Sequence, residues 1–250
     1  MGDSKIFITQ VMTLALMASS WSVQAEAEQE IWSYKFAPSY YNNSNQQQAW
    51  DMNLRGNYGK HTVWIGHYVQ GEDGSTEKFQ QTRAGYENAM SMPFGMLVPS
   101  VQVATSGFVG GSLTAQVGSL DQYALIGVGR TNLQTYYNLN FDPNDAITVG
   151  YARRLPDRSM LTAYYLWDDR LSTSQEVAHL VWRKWINDTQ RLTIDMAVKK
   201  GRPAAGEAVV NGHIVSIGLD QDQLFFKFAL DQKVNFSDVN QIRAVAGVRF

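Results

Sequence analysis

The chain contains no cysteine, and only 6 of its 250 residues are proline. Without thiols there is no disulfide framework and no thiolate metal site, so any exported form of the protein holds together by packing and hydrogen bonding alone. After the N-terminus there is no run of roughly 18 apolar residues, and the mean hydropathy is −0.27, which excludes a bundle of membrane-spanning helices. There is no basic surplus either: Lys+Arg number 21 against 23 Asp+Glu, a formal charge of −2, so nothing points to nucleic acid as a partner. Aromatic residues make up 12% of the chain, too many for a disordered acidic protein. Beyond Glu30 no amphipathic helical period is present.

The first 25 residues have the layout of an export signal. Met1 to Lys5 is a short head with one Lys, Ile6 to Ala18 is apolar, and Val23 and Ala25 occupy the small-residue positions before a cleavage site. Cleavage is expected after Ala25, with Ala27 the second choice, leaving residues 26–250 as one domain.

In that remainder a period of two dominates. Ala49 to Tyr58 sets Trp50, Met52, Leu54 and Tyr58 against Asp51, Asn53, Arg55 and Asn57. Arg191 to Lys200 sets Leu192, Ile194, Met196 and Val198 against Arg191, Thr193, Asp195 and Lys199. Leu224 to Asp231 sets Leu224, Phe226, Phe228 and Leu230 against Phe225, Lys227, Ala229 and Asp231. Glu176 to Trp185 alternates less cleanly, with Ala178, Leu180 and Trp182 opposed to His179 and Arg183. Successive strand side chains point to opposite faces, so these are strands with one apolar and one charged face. Stretches such as 42–48, 71–77, 91–95, 155–159, 186–190 and 201–212 supply the Gly, Asn, Asp and Pro of turns between them. The pattern predicts an antiparallel meander.

A soluble sandwich would bury the apolar face and wet the charged one. Trp32, Tyr34, Trp50, Tyr58, Trp64, Tyr68, Trp167, Trp182 and Trp185 are expected instead on the apolar face near strand ends, as aromatic girdles at two bilayer interfaces. Charges of both signs on the other face suit a water-filled lumen. A sheet in lipid must close, because hydrocarbon cannot satisfy an open edge. The expected fold is therefore all-β: a transmembrane antiparallel up-and-down barrel of about 14 strands, with 12 the alternative.

The last stretch, Ile242 to Phe250, alternates Ile242, Ala244, Ala246, Val248 and Phe250 with Arg243, Val245, Gly247 and Arg249. With the export signal, the absent cysteines and the alternating strands, it resembles a Gram-negative outer-membrane β-barrel protein, a class whose final strand carries alternate apolar residues back from a terminal aromatic. The resemblance implies location in the cell outer membrane among its lipids. It also implies recognition of Ile242, Ala244, Ala246, Val248 and Phe250 by the barrel assembly machinery. It reaches no single family.

The inward candidates are Asp51, Arg55, Arg83, Glu87, His179, Arg183, Arg191, Asp195, Lys199, Lys227, Asp231, Arg243 and Arg249. Such a set lines a narrow channel or uptake pore for small hydrophilic solutes, its cations favouring anionic or zwitterionic ones; alternatively the charges pair across a plugged lumen in a structural or adhesive barrel. A barrel enzyme acting on lipid or surface substrates is a further alternative. The outer-membrane phospholipase and lipid A deacylase resemble each other in a His-x-Ser pair on one strand, which places both side chains on one face. None of the four histidines here, His61, His67, His179 and His213, has Ser two residues on. His67, His179 and Asp168 remain as catalytic candidates assembled from different strands. Asp142, Asn144 and Asp145 gather oxygen ligands that could hold Ca²⁺, though without the Gly-and-Glu spacing of a calcium loop. No cofactor motif is present, since no helix and no Lys-Ser/Thr follow the glycines of Gly127 to Asn132. A monomer is expected.

Overall fold

The computed structural model describes residues 31–72, 78–129, 146–169 and 172–250. The expected export signal (1–25) and the oxygen cluster at Asp142, Asn144 and Asp145 lie outside the described residues. Alternation of apolar with polar or small residues produces strands throughout: β1 (Ser33–Asn43), β2 (Gln47–Tyr58), β3 (His61–Glu72), β4 (Lys78–Asn88), β5 (Met90–Met92), β6 (Gly95–Ala104), β7 (Phe108–Gly118), β8 (Gln122–Gly129), β9 (Ile147–Arg154), β10 (Met160–Asp168), β11 (Gln175–Trp185), β12 (Gln190–Gly201), β13 (Val210–Gln221), β14 (Leu224–Asp231) and β15 (Gln241–Arg249).

Each strand pairs antiparallel with its sequence neighbours, except that β4 and β5 do not pair with each other, and two further pairings complete the ring. β1 pairs with β15 from Lys35↔Arg249 to Asn43↔Gln241, and β4 pairs with β6 from Arg83↔Ala104 to Glu87↔Ser100. The three residues of β5 continue β4 along the same edge of β6, so the fifteen segments make a closed wall of 14 strands. Closure leaves no strand-long unpaired edge for lipid to meet.

The outward face is apolar. Trp50, Met52, Leu54, Ile65, Val101, Ile126, Val149, Met196, Ile217, Phe226, Phe228 and Ile242 are all exposed. Between them the inward positions are largely buried, most of them polar or small, with apolar residues such as Leu125, Val181, Ile214 and Phe225 among them. In water this inside-out arrangement would expose a continuous hydrophobic surface far beyond what a monomer tolerates; in a bilayer the same surface is solvated. The protein is a transmembrane β-barrel of the outer-membrane type.

The end that carries Ser33 and Arg249 is called the near end. Connections there are two to five residues long, whereas those at the far end include 202–209 and 232–240, eight and nine residues. An outward aromatic cluster rings part of the near end: Trp32 stacks on Tyr34 at 5.8 Å and lies 5.4 Å from Tyr58, and Tyr34 stacks on Phe250 at 5.6 Å. At the far end Tyr40 and Trp50 pack at 4.9 Å, and Trp167 is exposed on β10. Trp182 also faces outward, on β11. Three of the aromatics expected in the girdles are inside instead. Trp64 and Tyr68 are buried on the inward face of β3, because Val63 and Ile65 take the outward positions. Trp185 faces inward beside Arg191, whose Cζ is 5.7 Å from its ring. Gly85, across from Trp64 on β4, makes room for the indole: a Cβ there would stand 2.4 Å from its Cε2.

Candidate functional site: the lumen

All thirteen residues singled out for the lumen sit on the inward face, and the wall adds Lys35 on β1 and Asp220 on β13. The missed pair had a signal in the sequence. Asp220 alternates with the outward Ile217 and Leu219, and Lys35 alternates with the outward Tyr34 and Phe36.

The charges are concentrated on one side. Among the described side chains, β11 to β15 and β1 to β4 carry every inward charge between the rims, whereas β6 to β10 present Ser100, Gln102, Ser112, Thr114, Gln116, Tyr123, Leu125, Thr148, Thr162 and Tyr164. On the charged side, among the described side chains, nine cations (Lys35, Arg55, Arg83, Arg183, Arg191, Lys199, Lys227, Arg243, Arg249) accompany five carboxylates (Asp51, Glu87, Asp195, Asp220, Asp231), an excess of four. At the rims of the other wall Arg154 and Asp168 cancel.

Several ion pairs skip a strand. Arg83 on β4 reaches over β3 to Asp51 on β2, Nη2 to Oδ2 at 2.5 Å. Arg55 on β2 reaches Glu87 on β4 at 3.3 Å across the same strand. Lys199 on β12 bonds Asp231 on β14 across β13. Glycine at the crossing makes this possible in two cases. A Cβ at Gly66 would lie 3.2 Å from Arg83 Cζ, and one at Gly212 would lie 2.9 Å from Lys199 Cε. Arg249 on β15 reaches Asp220 on β13 over the Phe225 ring of β14, with Cζ 4.8 Å from the centroid. Asp220 is shared, since Arg191 also donates to it at 2.6 Å.

These groups are not spread around a wide aqueous bore. Arg83, Asp51, Glu87, Arg191, Lys199 and Arg243 are each less than a tenth exposed. Charges so enclosed are tolerable only when paired and hydrogen-bonded, and Arg83, Asp51, Glu87, Arg191 and Lys199 each stand in an ion pair. On the opposite wall Ser100 and Ser112 hydrogen-bond to each other at 2.6 Å. The buried amide groups of Gln102 and Gln116 retain unused hydrogen-bonding atoms among the described residues.

The three catalytic candidates do not converge. His67 is exposed on the outward face of β3, where its Nδ1 lies 2.8 Å from Thr82 Oγ1. Period-two alternation with Trp64 and Tyr68 turned inward puts it there. His179 is inward and buried, its Nδ1 2.9 Å from Asp195 Oδ1 and its ring stacked on Tyr164 at 4.5 Å. Asp168 closes β10 at the far rim, on the inward side. The inward hydroxyl of Ser216 on β13 is directly opposite Asp195 on β12, so the carboxylate strand stands between that hydroxyl and the imidazole on β11. A hydrolase needs the imidazole in the middle. Among the described residues no three His, Cys, Asp or Glu cluster in a way that could hold a metal ion.

The outward face of β15 carries Ile242, Ala244, Ala246, Val248 and Phe250, and Phe250 exchanges backbone hydrogen bonds with Tyr34 at 2.6 and 3.0 Å.

No family model matches the chain, and no curated protein does. Among solved structures it is similar to OmpF of Salmonella typhi, at 9% identity and a TM-score of 0.48, over 88% of this chain and 97% of that one. It is also similar to OprD of Pseudomonas aeruginosa (9% identity, TM-score 0.44, 92% and 98% covered) and to OmpT of Vibrio cholerae (9%, 0.41, 88% and 98%).

Proposed function

We propose that the protein is an outer-membrane channel of narrow bore for small hydrophilic solutes, favouring anions over cations. The observation that carries this reading is the excess of four inward cations on one wall of a closed barrel whose outside is apolar. A low-dielectric wall focuses that field along the lumen, raising the local concentration of anions and repelling cations. In this reading the short near-end connections are the periplasmic turns, the longer far-end ones face outside, and Phe250 with its aromatic neighbours lies at the periplasmic interface. The outward apolar positions of β15 are what the assembly machinery would read.

The purified, folded chain in a planar bilayer is expected to carry ion current. A folded barrel that conducts nothing overturns the channel reading. A second reading has its own support: the lumen charges are buried enough for the barrel to be a filled, structural one, and the same absence of current would favour it.

A further inference from the structure

We infer that the near end of the lumen holds a binding site for small oxyanions, built on the rung Arg249–Lys35–Arg55; the inference rests on the channel reading and names the solute chemistry at one place in it. Lys35 is the register partner of Arg249 on one side and of Arg55 on the other. Three cations therefore stand directly opposite one another on adjacent strands, all facing inward. Directly opposed side chains have Cβ atoms roughly 4.5–5.5 Å apart, and like charges so placed destabilise a sheet.

The nearby carboxylates do not balance them. Arg55 has Glu87, at 3.3 Å. Arg249 shares the carboxylate of Asp220 with Arg191. Among the described residues Lys35 is in no ion pair; its Nζ lies 4.5 Å from the centre of the Phe225 ring, on which Arg249 also rests. Lys35, Arg55, Arg191 and Arg249 thus stand with two carboxylates, and two of these four cations rest on one aromatic ring. The ring fixes both cationic heads, so their charge is held in place before any ligand arrives. An arginine fork beside a lysine point charge suits the oxygens of a carboxylate or a phosphate group, which the guanidinium binds side-on and the ammonium neutralises. A bound oxyanion would supply the negative charge the rung lacks. Solutes crossing the lumen would then pause at its near end through that group.

The test uses the full chain, folded in detergent, with succinate and inorganic phosphate as probes in isothermal titration at low salt. Saturable binding of at least one probe is expected, weakened tenfold or more by Lys35→Met and retained by Lys35→Arg. Lys35 is the position of choice because its replacement orphans no carboxylate, and heat-modifiable gel migration of each variant checks the fold. Lys200→Met, an exposed outward charge at the far end, is expected to leave binding unchanged. Succinate binding alone assigns the site to carboxylates, phosphate binding alone to phosphoryl groups, and both to oxyanions in general. No saturable binding of either probe, or binding that Lys35→Met leaves intact, overturns the inference. Binding without bilayer current would sink the channel reading and keep the site; current without Lys35-dependent binding would do the reverse.

Discussion

The two walls of the lumen solve the same problem by different means. Both must bury polar side chains inside a closed barrel. The wall from β6 to β10 does it with hydroxyls and amides, as in the Ser100–Ser112 hydrogen bond between register partners. The wall from β11 through β15 to β4 does it with ions, and its pairs reach beyond their register partners, over Gly66, Gly212 and the Phe225 ring. A neutral hydrogen bond can lose a partner to water at modest cost. An enclosed ion cannot. The charged wall is therefore where the barrel is most sensitive to substitution, and on the proposed channel reading it is also where solutes would be discriminated.

The largest expected effect follows from that difference. Asp51→Ala leaves the Arg83 guanidinium enclosed without its carboxylate and should cost about 3–5 kcal/mol of stability, measured by reversible denaturant unfolding in lipid vesicles. A loss below about 1 kcal/mol would mean that the pair is solvated and the wall is not what holds it. Gly66→Val tests the crossing itself. The added side chain meets Arg83 and Asn53, at 3.2 and 3.0 Å from the first carbon alone. A loss of roughly 1–3 kcal/mol is expected, and the double variant with Asp51→Ala should lose less than the sum, since both remove one interaction. On the neutral wall, Ser112→Ala removes a hydrogen bond worth about 0.5–1.5 kcal/mol; a cost equal to that of Asp51→Ala would erase the distinction between the walls.

The smallest effect lies outside the membrane, in the near-end turn between β9 and β10. Asp157 accepts from Ser159 Oγ at 2.6 Å, from its N–H at 3.1 Å and from Lys184 Nζ at 2.9 Å. The Ser159 hydroxyl first, and Lys184 after it, lower its pKa from 3.8 to about 2. A carboxylate so lowered stabilises the turn fully above about pH 4 and loses that contribution as pH falls through about 2. In Ser159→Ala the carboxyl resonance of Asp157 should titrate closer to the ordinary carboxylate range; an unchanged midpoint would assign the shift to Lys184.

Much of the barrel was legible in the period-two alternation, because a strand with one face in lipid and one in a polar lumen must write both faces into adjacent residues. Asp51 and Arg55 against Trp50, Met52 and Leu54 show it plainly. The aromatic residues misled where size was taken for direction: Trp64 and Tyr68 alternate with Val63 and Ile65 and so had to be inside, where Gly85 leaves space for the indole. His67, on the same strand, consequently faces out. Lys35 escaped notice in a stretch with aromatics on both faces, Tyr34, Phe36, Tyr40 and Tyr41. The strand-skipping pairs were out of reach of any local pattern, since Arg83 and Asp51 are joined by the barrel's curvature and by a glycine on the strand between them. Nor does alternation along single strands reveal that the charged strands stand together on one wall.

On the proposed channel reading, this wall sets the selectivity of the lumen. The most direct measurement is the reversal potential of the purified barrel in a planar bilayer under a KCl gradient. The cation excess predicts a value displaced toward the chloride equilibrium potential, and further toward it in Asp220→Asn, which removes a carboxylate from between Arg191 and Arg249. A value on the potassium side, or one that Asp220→Asn does not move, would contradict it.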